Sequence, residues 1–362
     1  MTSRTDPIDT RGDFELATWQ SFIKSVRGFW RTEAYAAVVS AVDAQLQPQE
    51  LDQRYADLPA YRLYAWLERY SQQLKYYGRR GLVTRAGEHA DECQALLDYA
   101  RQCHPERLDI DDGFRVPEYV RDSHTHQHVG GVWSDAQDAF AYEASTGGFS
   151  FALGDADAPM KVYADAAQDL ARRTGSAVHK VIDVGCAIGA STRALKSAFP
   201  QAQVTGVDVC APAVLLAHLR AVEREDELFF AQRAAEDLRV ATGSIDLVAS
   251  HWLYHEMPVH AIRAALREAW RVLRPGGLFL AFDMYLVPGG TVGAWLHSGY
   301  SRRNNEPFAL GFSQMDLRSE LEAIGFHDVE IRLAFPLPLP EQDELPPQRT
   351  HHLSLITCLK PG

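Results

Sequence analysis

The chain has 362 residues, 46% hydrophobic and 23% charged, the balance of an ordinary globular protein with room for one main domain and a smaller second region. Its formal net charge of -12 argues against nucleic acids and anionic membranes as partners, since these are held chiefly by Lys and Arg; a pair such as Arg302 and Arg303 suffices for one small anion. Five cysteines without a CxxC pair, a start without a signal peptide's apolar core and no apolar run of about 18 residues predict reduced thiols and a cytoplasmic protein.

From Phe14 to about Cys103 aromatic residues recur at helical spacing. In "YRLYAWLERYSQQLKYYGRRG" Leu63, Trp66, Leu67 and Tyr70 stand three and four residues apart, which predicts a helix burying these four and stopping at Gly78. From about Gln102 to Gly154 the periodicity fades and Asp, His and Gly dominate, so a loop-rich connector is expected. A connector of that length usually covers a functional site. It holds "DSHTHQHVGGVWSD", with His124, His126 and His128 at every second residue. On extended backbone the three imidazoles would share a face, and the pattern fits a metal site, a polar loop or a lid over a substrate.

Beyond Pro159 helices and strands alternate: helix "PMKVYADAAQDLARRTG", strand "HKVIDVG", helix "ASTRALKSAFP", strand "AQVTGVDV", helix "APAVLLAHLRAVER", strands "ELFFAQRA" and "SIDLVASHWL", helix "VHAIRAALREAWRVLRPGG" and strand "LFLAFDMYL". Such alternation builds an α/β fold with a parallel sheet between helices, and its ligands bind at the carboxyl ends of the strands.

"VIDVGCAIGAS" is an apolar strand ending in an acidic residue and a glycine turn that feeds a helix. Gly185 and Gly189 remove side chains where a ligand approaches the backbone, and Asp208 closes the next strand where a carboxylate can accept both ribose hydroxyls. A dinucleotide site needs G-x-G-x-x-G, with its second glycine admitting a pyrophosphate; here that position is Ala187, and a cofactor without phosphates matches better.

With these motifs, "GSIDLVASHWLYHEM" and "VLRPGGLFL", the region from Tyr163 to Gly362 resembles the class I S-adenosylmethionine-dependent methyltransferases. The resemblance implies a Rossmann-like seven-stranded sheet whose last two strands, "GFHDVEIRLAF" and "HHLSLITCLK", pair antiparallel. The proline-rich "PLPLPEQDELPPQ" between them reads as a surface loop. It also implies S-adenosyl-L-methionine as cofactor: Asp183, Gly185 and Gly189 around the methionine part, with Tyr163, Cys186, Ser250 and His251 nearby, and Asp208 with Val209 at the ribose. Many members carry an acidic residue for the adenine amino group where this chain has Ala234, so Ala235 or Glu236 is expected to read the base.

Displacement at a sulfonium methyl needs alignment and exclusion of water, and a general base only if the acceptor arrives protonated. After the fourth strand "SHWLYHEMP" supplies His255 as base, with Glu256, and Tyr254 as a substrate contact; alternatively His255 and Glu256 only shape the start of the helix near Pro258. After the fifth strand "VPGGTVGAWLHSGYSRRNNEPFALGF" offers Arg302 and Asn305 to a polar substrate, or is a solvated loop; Asp283 is also expected to face the pocket. The motif of Asp, Asn or Ser, two prolines and an aromatic residue, typical of amide and base nitrogen methylation, is absent there.

Methyl displacement needs no Lewis acid, so no metal is assigned to the three histidines. Gly130 and Gly131 beside Trp133 form a hinge and an aromatic wall, and the resemblance implies an acceptor lid or a homodimer contact, with His128 and Trp133 facing the substrate. The sequence thus predicts a helical cap over residues 1–154 and a cofactor-binding domain over 155–362. The expected activity is methyl transfer to a small metabolite or natural product. Its rivals are a displacement in which an internal nucleophile releases methylthioadenosine, and a non-catalytic S-adenosylmethionine-binding protein.

Overall fold

The structure, a computed structural model, describes residues 6–8, 12–128, 134–146, 158–335 and 353–362. Trp133, Gly130 and Gly131, and the proline-rich segment 336–348, lie outside the described residues. Among the described residues no helix is long and apolar enough to cross a membrane.

The amino-terminal region is helical: α1 (Phe14–Phe29), α2 (Tyr35–Val39), α3 (Pro48–Tyr55), α4 (Pro59–Tyr76), α5 (Leu82–Gly87) and α6 (Ala90–Gln102). Helix α4 starts on Pro59, whose fixed φ suits a first turn, and Gly78 follows its end at φ 82°. Its buried face is not the one the aromatic spacing predicts. Leu63, Trp66 and Tyr70 are 47%, 52% and 42% exposed, while Tyr61, Tyr64 and Leu67 are buried with Glu68, Gln72 and Lys75. Both faces carry aromatic residues at helical spacing, and the buried one is chosen by partners elsewhere: Arg303 pairs with Glu68, and Arg27 donates to Gln72 at 2.8 Å.

The expected loop connector is more ordered than its composition implies. It forms a short strand β1 (Leu108–Asp109), helix α7 (Glu118–Arg121), a 3-10 turn at Thr125–Gln127 and helix α8 (Ala136–Thr146). His124 and His126 sit in the left-handed region at φ 45° and 58°, so the backbone is not extended and the three histidines do not share a face.

The remaining elements follow in order: α9 (Ala158–Thr174), β2 (Lys180–Val184), α10 (Ala190–Ala198), β3 (Gln203–Asp208), α11 (Ala211–Arg224), β4 (Phe229–Gln232), β5 (Ile245–His251), α12 (Val259–Val272), β6 (Leu273–Asp283), α13 (Gly290–Asn304), α14 (Ala309–Ser313), α15 (Leu317–Ile324), β7 (His327–Leu333) and β8 (Ser354–Leu359). The sheet order is β1-β4-β3-β2-β5-β6-β8-β7, with β8 antiparallel to both β6 and β7 and every other pair parallel. It has eight strands, not the expected seven, because β1 from the amino-terminal region pairs parallel to β4 and extends that edge.

Strand side chains alternate between two cores. Ile182, Val248 and Phe279 pack against Ile262 and Leu266 of α12, whereas Val181, Leu247 and Leu280 face Ala167 of α9 and Leu195 of α10. The helical region shares two further cores with the sheet domain. Leu97 of α6 and Phe140 of α8 pack with Leu215, Leu216 and Leu219 of α11; Trp30, Tyr61 and Tyr64 pack with Val292, Trp295 and Leu296 of α13.

Candidate functional site

The site begins where β2 ends. Gly185 and Gly189 adopt φ 73° and 81°, and a Cβ on Gly185 would stand 2.8 Å from Leu253 Cδ1. Ala187 between them is also left-handed, at φ 44°, a strained conformation of the kind stored at functional sites. The turn is closed from within: Gly185 N and Cys186 N donate to Val207 O at 2.8 and 3.0 Å, and Gly189 N donates to Cys186 O at 2.8 Å. Ala187 N donates to Asp208 Oδ2 at 2.9 Å, and Cys210 N donates to Oδ1 at 3.0 Å. Each Asp208 oxygen keeps a lone pair for a ligand. Burial raises the Asp208 pKa above the usual carboxylate value.

A cavity opens beside this turn. Gly185, Cys186, Asp208, Val209, Ala235 and His251 line it, together with His255 and Glu256. Five expected cofactor residues stand one layer behind. Asp183 is fully buried and accepts from Ser191 and Thr192 at 2.6 Å and from Tyr163 OH at 3.1 Å, which locks α9 and α10 onto β2; burial pushes its pKa up to about 6. Gly189 caps α10, Ser250 is buried beside the Tyr254 hydroxyl, and Glu236 accepts from Tyr119 OH at 2.9 Å.

The turn after β5 is built on Asp283 at the end of β6. This fully buried carboxylate accepts from Leu253 N and Tyr254 N at 3.0 and 2.7 Å through Oδ2. Its Oδ1 accepts from Met284 N at 2.7 Å and meets His255 Nδ1 at 2.6 Å. Asp283 therefore faces the turn and not the pocket, because its lone pairs are taken by these donors. Tyr254 likewise points into the core, near Phe279 and Phe312, and is not a pocket wall. His255 and Glu256 do line the cavity, and α12 starts on Pro258 without a side-chain cap from either.

The amino-terminal region supplies the opposite wall through Tyr76, Tyr119, His126 and Tyr142. His126 lies between two carboxylates, Nε2 3.1 Å from Glu256 Oε1 and Nδ1 3.0 Å from Glu306 Oε1. Burial opposes its charge, but Glu256 and Glu306 together overcome that and raise its pKa to about 9. His255 is raised well above the ordinary imidazole value in the same way, against burial, by Asp283 and then Glu256. Glu256, also against burial, is held well below the carboxylate range by His126 and His255. His251 stacks on Phe282 with centroids 5.1 Å apart, and burial lowers its pKa to about 4, so it is neutral.

Three expected substrate contacts lie elsewhere. His128 is buried against Asp138 at 3.0 Å and packed by Tyr76 and Tyr77, away from the cavity. Arg302 reaches Asp52 at 3.3 Å on the surface. Asn305 donates to Ser123 O and His124 O at 2.5 and 2.9 Å, and so fastens the 118–128 strap to the end of α13. His128 Nε2, Arg302 and the Asn305 amide are thus engaged by protein partners, while His128 Nδ1 has no hydrogen-bond partner among the described residues. Tyr119, His126 and Tyr142 were missed. His126 stood inside the histidine motif, but assuming extended backbone grouped it with His128 when the left-handed turn separates them.

Residues 181–277 match the family model described as a methyltransferase domain. The chain is similar to trans-aconitate 2-methyltransferase of Deinococcus radiodurans, 36% identical over 99 residues that cover 27% of this chain and 35% of that one. It is similar also to malonyl-(acyl-carrier protein) O-methyltransferase of Hahella chejuensis, 30% identical over 179 residues, 41% of this chain and 61% of the relative. This chain carries a class I S-adenosylmethionine-dependent methyltransferase domain. Among solved structures, phosphoethanolamine N-methyltransferase 2 of Haemonchus contortus in complex with S-adenosyl-L-methionine aligns at a TM-score of 0.44 and 17% identity, covering 55% of this chain and 53% of that one. The chain spans about a third and three-fifths of the lengths of the two curated relatives.

The methyltransferase cofactor, S-adenosylmethionine, fits this cavity on physical grounds. A phosphate-binding turn presents free backbone N–H groups, and here those of residues 185, 186, 187 and 189 are all donated within the protein. The charge beside the turn is the Asp208 carboxylate, which repels phosphate and accepts from hydroxyls. Arg233 also lines the cavity but is paired with Asp109. His251 Nε2 is buried without a hydrogen-bond partner among the described residues, which leaves a polar atom for a ligand.

Proposed function

We propose that this protein transfers the methyl group of S-adenosylmethionine to a small-molecule acceptor, with residues 1–154 as the cap that closes the acceptor site. One observation carries this reading: a single cavity runs from the Gly185 turn and Asp208 to His255 and Glu256, and its far wall is Tyr119, His126 and Tyr142 of the helical region. The cofactor, when bound, supplies an electrophilic methyl and a neutral thioether leaving group. Asp208 would take the ribose hydroxyls, Val209 and Ala235 with Tyr119 would hold the base, and the Gly185 turn would admit the methionine part. His255, oriented by Asp283, and Glu256 meet the acceptor, while the aromatic walls keep water from the methyl.

Calorimetric titration tests the cofactor assignment: binding of S-adenosylmethionine and none of NADH is expected, and the reverse would overturn it. Incubation with S-adenosylmethionine and fractionated small-molecule extract, followed by mass spectrometry, then tests the reaction. S-adenosylhomocysteine as coproduct is expected; methylthioadenosine would instead mark the internal displacement.

A further inference from the structure

Helix α4 is apolar on two faces, and one chain buries only one of them. Among the described residues seven large apolar side chains are exposed, and six stand on α1 and α4: Phe14, Phe22 and Phe29 on the first, Leu63, Trp66 and Tyr70 on the second. The seventh is Tyr99 of α6. Apolar residues scattered singly over a surface need no explanation, but six on two adjoining helices do. The two helices run antiparallel: Trp19 Nε1 donates to Leu74 O at 3.0 Å near one end, and Trp30 stacks on Tyr64 with centroids 5.4 Å apart near the other. Phe22 and Phe29 are seven residues apart, and Leu63, Trp66 and Tyr70 are three and four apart. With about 3.6 residues per turn each set is one stripe, and in this antiparallel pair both stripes fall on the same side. Trp19, its ring centroid 5.5 Å from that of Phe22, lies in the seam between them, and Trp66 stacks on Tyr70 at 5.0 Å.

We propose that this face is the interface of a homodimer, in which α1 and α4 of two copies pack as a four-helix bundle about a two-fold axis. An aromatic side chain buries about 150–250 Å², so the five half-exposed side chains from Phe22 to Tyr70 leave roughly 500 Å² of apolar surface, the upper end of what a monomer shows in one patch. At the roughly 65% apolar share of homodimer interfaces, that patch implies about 800 Å² per partner, the size of a stable interface. The aromatic spacing that predicts burial of Leu63, Trp66 and Tyr70 is then met in the assembly, by a partner that the single chain does not contain.

The surface is suited to a second copy of itself. The α1 stripe alternates small and large residues, Thr18, Phe22, Ser25 and Phe29, so Trp66 and Tyr70 of the other copy fill the spaces over Thr18 and Ser25. The exposed cations of the two helices, Lys24, Arg62 and Arg69, fall outside both stripes, and Glu15 at the end of the α1 stripe is paired with Arg80 at 3.2 Å. An anionic partner, protein or lipid, would call for cations among the aromatic side chains; here they form the rim. The face is also held in place beforehand, because the opposite side of α4 is fixed by Arg303 and by the core shared with α13. Tyr76, at the end of α4, lines the cavity, so the interface and the cavity wall share one helix.

Sedimentation velocity and light scattering of the full chain between about 1 and 100 μM test the interface, with twice the chain mass expected and a melting temperature that rises with concentration. Trp66→Glu and Phe22→Glu should each weaken the dimer by about 100-fold or more, since the two-fold places each substitution in the interface twice. Tyr99→Glu should leave it intact. A wild-type monomer throughout that range overturns the proposal, and a monomer that pellets with phosphatidylglycerol vesicles assigns the face to lipid instead. A dimer that survives both α1 and α4 substitutions, or is lost on Tyr99→Glu alone, puts the contact elsewhere and overturns it too. Should the glutamate variants not fold, hydrogen exchange of the wild type decides: α1 and α4 should gain protection as concentration rises while α6 does not, and a dimer without that difference overturns the assignment. None of these measurements uses a ligand, so their outcome is separate from that of the methyltransferase reading.

Discussion

The two walls of the cavity are made in opposite ways. On the sheet side, a dozen or so consecutive residues and one aspartate at the next strand end form a turn out of backbone hydrogen bonds and positive φ angles. On the helical side, Tyr76, Tyr119, His126 and Tyr142 come from separate elements; His126 is held by Glu256 of the turn after β5 and Glu306 beyond α13, Tyr119 by Glu236, and Tyr76 by Ser145. The first wall depends on local conformation, the second on long-range pairing. The same contrast runs through the fold: the helical region is fixed to the sheet domain by the shared apolar cores and by Arg303, which lies between Tyr61 and Tyr64 and pairs with Glu68.

That contrast can be broken most forcefully at Arg303. Glu68 is 2% exposed, so Arg303→Met should strand a buried carboxylate and cost about 3–5 kcal/mol in urea unfolding, while the folded fraction keeps its cofactor affinity. Retained stability would mean that the two regions are held by apolar contact alone. The sheet wall is next: Asp208→Ala should weaken S-adenosylmethionine binding by about 1–3 kcal/mol, a charged hydrogen-bond loss, and unchanged affinity in a titration would remove Asp208 from the site.

The helical wall should carry a pH signature. The folded pKa of His126, about 9, lies above its unfolded value, so its stabilising contribution is complete below about 6.5 and is lost as pH rises through 9. Unfolding free energy measured across that window should fall by roughly 1–3 kcal/mol in the wild type, and less steeply in His126→Gln; identical slopes would contradict the pairing. The smallest effect tests which face of α4 is buried within one chain: Leu63→Ser should stay within about 0.5 kcal/mol of wild type by thermal melting of the dilute monomer, as exposed positions do.

The strand and helix order beyond Pro159 and the glycine turn were legible because each rests on short-range rules: period-two and period-3.6 patterns, and glycine where φ is positive. The antiparallel pairing of the last two strands followed from family resemblance and not from any local signal. The helical wall was legible only in part. Asp283 was expected in the pocket because it ends a strand, yet it is used by Leu253 N, Tyr254 N, Met284 N and His255. Arg302 and Asn305 look like ligand-binding groups in a polar insertion, but Asp52 and the strap backbone claim them. A side chain's type says what it can bind; its neighbours decide what it does bind.

By itself the sequence determined the α/β class and the glycine turn between β2 and α10 with Asp208 ending the next strand, since each depends on residues near one another in the chain. Only the tertiary structure decided that β1 joins the sheet as an eighth strand, that α4 buries Tyr64 and not Trp66, and that His126, not His128, reaches the cavity. These choices turn on pairings across more than a hundred residues, such as His126 with Glu256 and Glu306, and the free energy of a buried charge is set by such a partner. Local periodicity carries no record of it.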